Sequence, residues 1–204
     1  MDLKETKLHG IAMGSSEAGG YIDEKGNIAG WLNELAFVPV DLKAETILDE
    51  WSGDYGCGVK CFSQAAVIKL APEAGIECHK SLSPGEKLKV VQDLNQDGDE
   101  RAAQIFESIG IYFGYALAHY ASFYDIDQVL ILGRVTSGAG GLSIVKKAEK
   151  VLALEFPALF SKIKIRLPDE ATGRVGQSIA AASLPEIKDT YNQRLKGVAY
   201  AEIK

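Results

Sequence analysis

The strongest chemical signal lies at 129–145, which reads Val-Leu-Ile-Leu-Gly-Arg-Val-Thr-Ser-Gly-Ala-Gly-Gly-Leu-Ser-Ile-Val. This is an apolar strand, a glycine-rich loop and the start of a helix. Glycines in such a loop let backbone N–H groups approach a ligand, and the helix N-terminus favours an anion. Gly133 and Gly138 have the outer glycine spacing of a P-loop, but the Lys-Ser/Thr pair that should follow is Ala139-Gly140, so the Walker reading fails. A dinucleotide fingerprint is not supported either. Spacing alone fits both a backbone-built anion site and a loop that needs glycine for its geometry.

A second glycine-rich turn, Gly14-Ser15-Ser16-Glu17-Ala18-Gly19-Gly20, follows one strand and precedes a hairpin. Hydroxyls and free N–H groups in a sharp turn suit a phosphate, while a plain β-turn explains the same residues. Asp93 to Asp99 matches the first seven positions of a calcium-binding EF-hand loop. The match ends there, because Glu100 and Gln104 stand where an apolar residue and a bidentate Glu belong. The same stretch reads as a helix start with Asp97 or Asp99 as N-cap. Cys57, Cys61, Cys78 and His79 are four N/S groups of the kind zinc takes; buried free thiols are the favoured reading, and no metal site is assigned. His119 reads as a core or interface residue. Trp31 and Trp51 read as core, although aromatic rings also stack on sugars.

These groups need elements to hold them. Leu8 to Met13 reads as a buried strand. Tyr21-Ile22 and Ile28 read as two strands around a tight turn at 24–27. Ala36 to Val40 reads as a strand, Asp49 to Gly58 as a loop, and Val59 to Leu70 as a helix stopped by Pro72 and Gly75. Ser83-Pro84-Gly85-Glu86 begins a helix with a good N-cap and Pro at its first position. Asp99 to Tyr124 is the longest helical pattern, apolar almost all the way round, as a central helix would be. Its Gly110, Gly114, Ala118 and Ser122 form a smooth face that suits close packing on a sheet. Leu142 to Leu154 is a further helix, Ile163 to Leu167 a final strand, and 176–182 a small-residue helix. The pattern is α/β, within one domain over 1–204.

Composition narrows the function. The 204 residues carry 22 Lys+Arg against 28 Asp+Glu, a net charge of −6, with 47% hydrophobic residues. That is an ordinary globular composition. The negative balance argues against nucleic-acid or membrane-surface binding. Three sparse cysteines and no visible signal peptide fit a cytoplasmic protein. The uncharged run 108–124 is short for a membrane span and reads as a core helix.

In order and spacing, these motifs resemble the C-terminal lobe of the ROK (repressor/ORF/kinase) sugar kinases and their regulator relatives. Leu8 to Gly26 is similar to the family's strand, phosphate turn and hairpin. Asn33-Glu34-Leu35-Ala36-Phe37 stands where the family has Gly-Glu-Ile-Gly-His. Cys57-Gly58-Val59-Lys60-Cys61-Phe62 stands at its Cys-Gly-x-x-Gly-Cys-Leu-Glu run. Gly98 to Gly110 and Leu130 to Gly141 resemble its long helix, strand and nucleotide loop, and Ala180 to Ala182 also fit.

The resemblance covers nearly the whole chain. It implies a ribonuclease-H-like, actin-like ATPase lobe: a mixed sheet with antiparallel first strands and helices packed on it. It implies ATP with Mg, with Gly14, Ser15, Ser16 and Gly19 toward the phosphates and Gly133, Arg134, Ser137 and Gly138 near the nucleoside. It places Glu34 and Asn33 at the sugar. It implies a homodimer, no catalytic residue within this lobe, and an N-terminal lobe, absent here, that would hold Asp-x-Gly-Gly-Thr and the catalytic base. Such a lobe is not a competent kinase alone; the other role it implies is the sensor half of a regulator. Departures are Phe37 for the family's His, a cysteine run one residue short, and Ser63 or Gln64 for a sugar-contacting Glu. These remove a zinc ligand and two polar sugar contacts.

Overall fold

Four strands form one sheet, in the spatial order β2 (Glu17–Ile22), β1 (Leu8–Met13), β3 (Gln128–Leu132), β4 (Lys164–Arg166). The computed structural model describes residues 6–29, 33–43 and 45–168; the expected helix at 176–182, the Ala180 to Ala182 run and Trp31 lie outside them. Strand β1 (Leu8–Met13) pairs antiparallel with β2 (Glu17–Ile22) and parallel with β3 (Gln128–Leu132). Strand β4 (Lys164–Arg166) extends β3 in parallel. This is the mixed sheet with an antiparallel first pair that the sequence suggests.

Alternation sets which side chains enter the core, because successive residues of a strand face opposite ways. His9, Ile11 and Met13 of β1 and Val129 and Ile131 of β3 are fully buried. The four apolar ones join one core with helix residues such as Phe62, Phe106, Phe113 and Leu117. Each fully buried side chain of this kind contributes roughly 2 kcal/mol of transfer free energy.

The predicted helix at 59–70 is two helices, α1 (Gly58–Phe62) and α2 (Gln64–Glu73). Ser63 breaks them: its hydroxyl donates to the Val59 carbonyl (2.6 Å) and accepts from the Ala65 amide (3.1 Å). Helix α3 (Pro84–Gln96) starts with a full capping box between Ser83 and Glu86. Asp99 caps α4 (Glu100–Tyr120), and Arg101 pairs with that carboxylate. Asp93 is thus part of the last turn of α3 and 97–99 joins it to α4, so the stretch is not a calcium loop.

Helix α4 is central but not buried all round, since Ile111, Tyr115 and His119 are exposed. Its glycine face packs on helix α5 (Ala139–Glu155), not on the sheet. A Cβ at Gly110 would lie 2.6 Å from the Ile144 carbonyl oxygen, and one at Gly114 2.7 Å from Val151 Cβ. Helix α5 begins earlier than its apolar pattern suggests, and a short α6 (Pro157–Lys162) precedes β4. The segment read as a strand at 36–40 is a 3₁₀ turn, Leu35–Phe37, followed by a single bridge from Pro39 to Cys57. No helix among the described residues is long and apolar enough to cross a membrane.

Candidate functional site

Strands β1 and β3 run parallel and in register, with Ala12 opposite Leu132. Their C-terminal ends therefore lie side by side, and each continues into a glycine turn. Ligands of open α/β sheets bind at that edge. Gly133 lies directly against the end of β1. Its φ is +104°, and a Cβ there would sit 2.4 Å from the Met13 carbonyl oxygen. Only glycine fits this approach, which brings the two turns together.

The first turn is short. The Gly14 amide donates to the Ser16 carbonyl (2.9 Å), and the Gly14 carbonyl accepts from the Gln64 amide at the start of α2 (2.8 Å). Ser15 and Ser16 are exposed at its tip. Gly19 lies farther along, inside β2.

The second turn is a 3₁₀ turn, Arg134–Thr136. Val135 and Thr136 are buried, and the Thr136 hydroxyl donates to the Gly133 carbonyl (3.0 Å). Arg134, Ser137 and Gly138 are exposed. The Arg134 carbonyl accepts from Gln92 of α3 (2.6 Å), and its guanidinium lies over Gly85. Helix α5 starts next with no side-chain cap. Its first N–H groups are free of a capping side chain, at the positive end of a 17-residue helix. Exposed hydroxyls and uncapped amides suit a phosphate chain, although the net charge of the protein is −6. Among the described residues no group of three or more His, Cys, Asp or Glu is placed to hold a metal ion. We therefore assign no residue to Mg. Cys57, Cys61, Cys78 and His79 are not brought together as a zinc site, and burial pushes the Cys61 thiol up to about 12.

The segment holding Asn33 and Glu34 packs on β2. A Cβ at Gly19 would lie 2.8 Å from the Leu35 side chain and 3.1 Å from the Asn33 carbonyl oxygen. Gly19 is three residues from Ser16 along the strand, about 10 Å at the usual rise. Glu34 is exposed at the start of the 3₁₀ turn. Phe37 ends that turn and stacks on Trp51, with centroids 5.4 Å apart and planes at 20°. Trp51 is not a core residue: it is 82% exposed.

Two further polar groups escaped the sequence reading. Glu17 belongs to β2, not to the turn, and is buried opposite Met13. Its carboxylate lies against Gly58, and neither oxygen has a well-formed hydrogen bond. Burial raises its pKa to about 8, and the nearby Tyr120 hydroxyl offsets only part of this. His9 is fully buried among Tyr21, Tyr120 and Tyr124, with no partner for either ring nitrogen. Burial lowers its pKa to about 4. Strand alternation begun at Glu17, with Glu17, Gly19 and Tyr21 on one face, is the signal that finds this cluster.

No protein-family description and no curated protein matches the sequence. Solved structures do. A ROK family glucokinase from Streptomyces griseus, in complex with glucose and AMPPNP, is similar at TM-score 0.57 and 19% identity, over 71% of this chain and 50% of that one. A ROK family transcriptional regulator, a homolog of the E. coli MLC protein, is similar at TM-score 0.62 and 19% identity, over 78% and 41%. A ROK hexokinase from Thermus thermophilus is similar at TM-score 0.60 and 15% identity, over 81% and 53%. The chain thus spans about half the length of these proteins, or less. At such identities the likeness is one of fold: this chain has the actin-like ATPase fold found in part of ROK family proteins.

Proposed function

We propose that this chain is the nucleotide- and sugar-binding C-terminal lobe of a ROK-like, ATP-dependent sugar kinase. The meeting of the two glycine turns at the ends of β1 and β3 carries the reading. Gly14, Ser15 and Ser16 take the phosphates. Gly133, Arg134, Ser137 and Gly138 line the nucleoside side, with the start of α5 above them. Gly19 seats the Asn33–Glu34 segment, whose carboxylate accepts hydroxyls of the sugar about 10 Å along β2 from the phosphate turn. The nucleotide arrives with Mg. Phosphoryl transfer is positioning plus charge stabilisation between two walls of a cleft. No residue described here is assigned as the catalytic base, and the motif Asp-x-Gly-Gly-Thr does not occur in the 204 residues. We therefore propose that this lobe acts against a second one, in the cytoplasm, and that it forms a homodimer.

A second reading is the effector half of a sugar-responsive regulator. The observation that favours it is Phe37, an apolar residue where the kinases have a polar sugar contact, together with the similar fold of a regulator. Calorimetry with ATP, ADP and glucose separates the two. Saturable nucleotide binding supports the kinase lobe. Sugar binding without nucleotide binding, or neither, contradicts it.

A further inference from the structure

The loop residues 38–43 and 45–56 are fastened at several points. The Val40 and Asp41 amides donate to the Gly56 carbonyl (2.8 and 2.9 Å), and the Asp49 amide donates to the Asp54 carbonyl (2.7 Å). Lys60 of α1 pairs with Asp49 (3.1 Å) and Glu50 (2.5 Å). Tyr112 of α4 donates to Asp41 (3.0 Å). Such a loop is built to hold its tip in place. Yet the tip leaves Trp51 82% exposed. Leu48 and Tyr55 of the same loop are exposed with it, and a group of exposed apolar side chains marks a contact surface.

The geometry gives that surface a use. One indole face rests on Phe37, ring on ring, so the ring is steadied while its other face is bare. Phe37 follows Glu34 by one 3₁₀ turn, with the Phe37 amide donating to the Glu34 carbonyl (3.2 Å). Residues three apart on such a turn lie one above the other. Glu34 thus precedes the aromatic stack by one turn of backbone, and both Glu34 and Trp51 are exposed. An aromatic face is electron-rich and attracts the slightly positive C–H bonds on one side of a pyranose ring. A carboxylate accepts two or more hydroxyl hydrogen bonds from the ring edge. A flat apolar face beside an acceptor is the chemistry that recognises a sugar.

We propose that Trp51, backed by Phe37, stacks on the apolar face of a pyranose ring whose hydroxyls Glu34 accepts. The inference rests on the sugar-binding reading above and adds its specificity residue. Sugars that present several C–H bonds on one face bind; those with axial hydroxyls on that face bind less well. The platform also accounts for Phe37: the stack gives an apolar residue a task in place of a lost polar contact.

The test uses the full chain with Trp31→Phe, which leaves Trp51 as its one tryptophan. Glucose, mannose and sucrose are titrated while Trp51 emission is followed, and calorimetry gives the affinities. The expected result is a saturable emission change with one of these sugars. Trp51→Ala should then weaken that binding about tenfold, near 1.4 kcal/mol, and Trp51→Tyr should restore part of it. Trp51 is exposed, so neither variant disturbs folding. Sugar binding with unchanged emission, and equal in Trp51→Ala, overturns the platform and leaves the sugar-binding reading standing. Absence of binding by any of the sugars overturns both. An emission change that tracks protein concentration without sugar overturns the platform in favour of a protein contact on the same rings.

Discussion

The two ends of the site are made of different material. The proposed nucleotide end is made of backbone: Gly133 is pressed onto Met13, and Gly14 is held by the Gln64 amide. The proposed sugar end is made of side chains: Glu34, Phe37 and Trp51 stand on a turn and a loop at the surface. Such a site has least tolerance for substitution at Gly133, where an added Cβ meets the Met13 backbone. A side-chain-built site lets its residue types change while the fold persists. The departure from the family pattern at Phe37 falls at the tolerant end.

Substitutions sharpen this contrast. Gly133→Ala should have the largest effect, a loss of about 3 kcal/mol or more, because strain at positive φ adds to the clash with Met13. A urea midpoint unchanged from wild type would remove the basis for a rigid, backbone-built end.

Glu17 links the first turn to the core and sets a pH dependence. An unfolded Glu loses its proton near 4.5, but the buried one holds it to about 8. The folded state then binds the extra proton, so stability falls as pH rises through that window. His9 acts in the opposite sense. Its pKa drops from 6.5 to about 4, so the unfolded state binds the extra proton and stability falls as pH falls through that window. The two slopes oppose each other between 4.5 and 6.5. From 6.5 to 8 the Glu17 slope stands alone, at about 1.4 kcal/mol per pH unit, or about 2 kcal/mol in all. Denaturation at several pH values should show this fall in wild type and a flat line in Glu17→Gln. An equal slope in both would show that Glu17 is not the titrating group.

The double variant Ser15→Ala, Ser16→Ala should weaken ADP about tenfold while leaving the urea midpoint in place, since both hydroxyls are exposed. Unchanged ADP affinity would take the hydroxyls out of the site. Trp51→Ala should have the smallest effect on stability, within about 0.5 kcal/mol, as for an exposed position. A larger loss would mean that the loop end is as rigid as the glycine end.

Local chemistry made much of the scaffold legible. Strand β1, the Ser83 cap and strand β3 each announce themselves by a short apolar run or a capping pattern. The mixed order of the sheet followed from the family resemblance. What escaped depends on partners far away in sequence. Leu35 and Ala36 are apolar because β2 and its neighbours bury them, but they have no strand to pair with, so 35–37 became a 3₁₀ turn. Gly110 and Gly114 advertised a close approach, and only the fold shows that the approaching chain is α5. The candidate phosphate turn was legible from its glycines and serines. Its boundary was not, because Glu17 looks like a loop residue until its register opposite Met13 is known.

The central claim is that the two glycine turns form one nucleotide site. Amide NMR shifts recorded while AMPPNP is added to the full chain test it most directly. The account predicts saturable shifts confined to 14–16 and 133–141, moving together with one affinity. No shifts at either turn, or shifts at one turn alone, would contradict it.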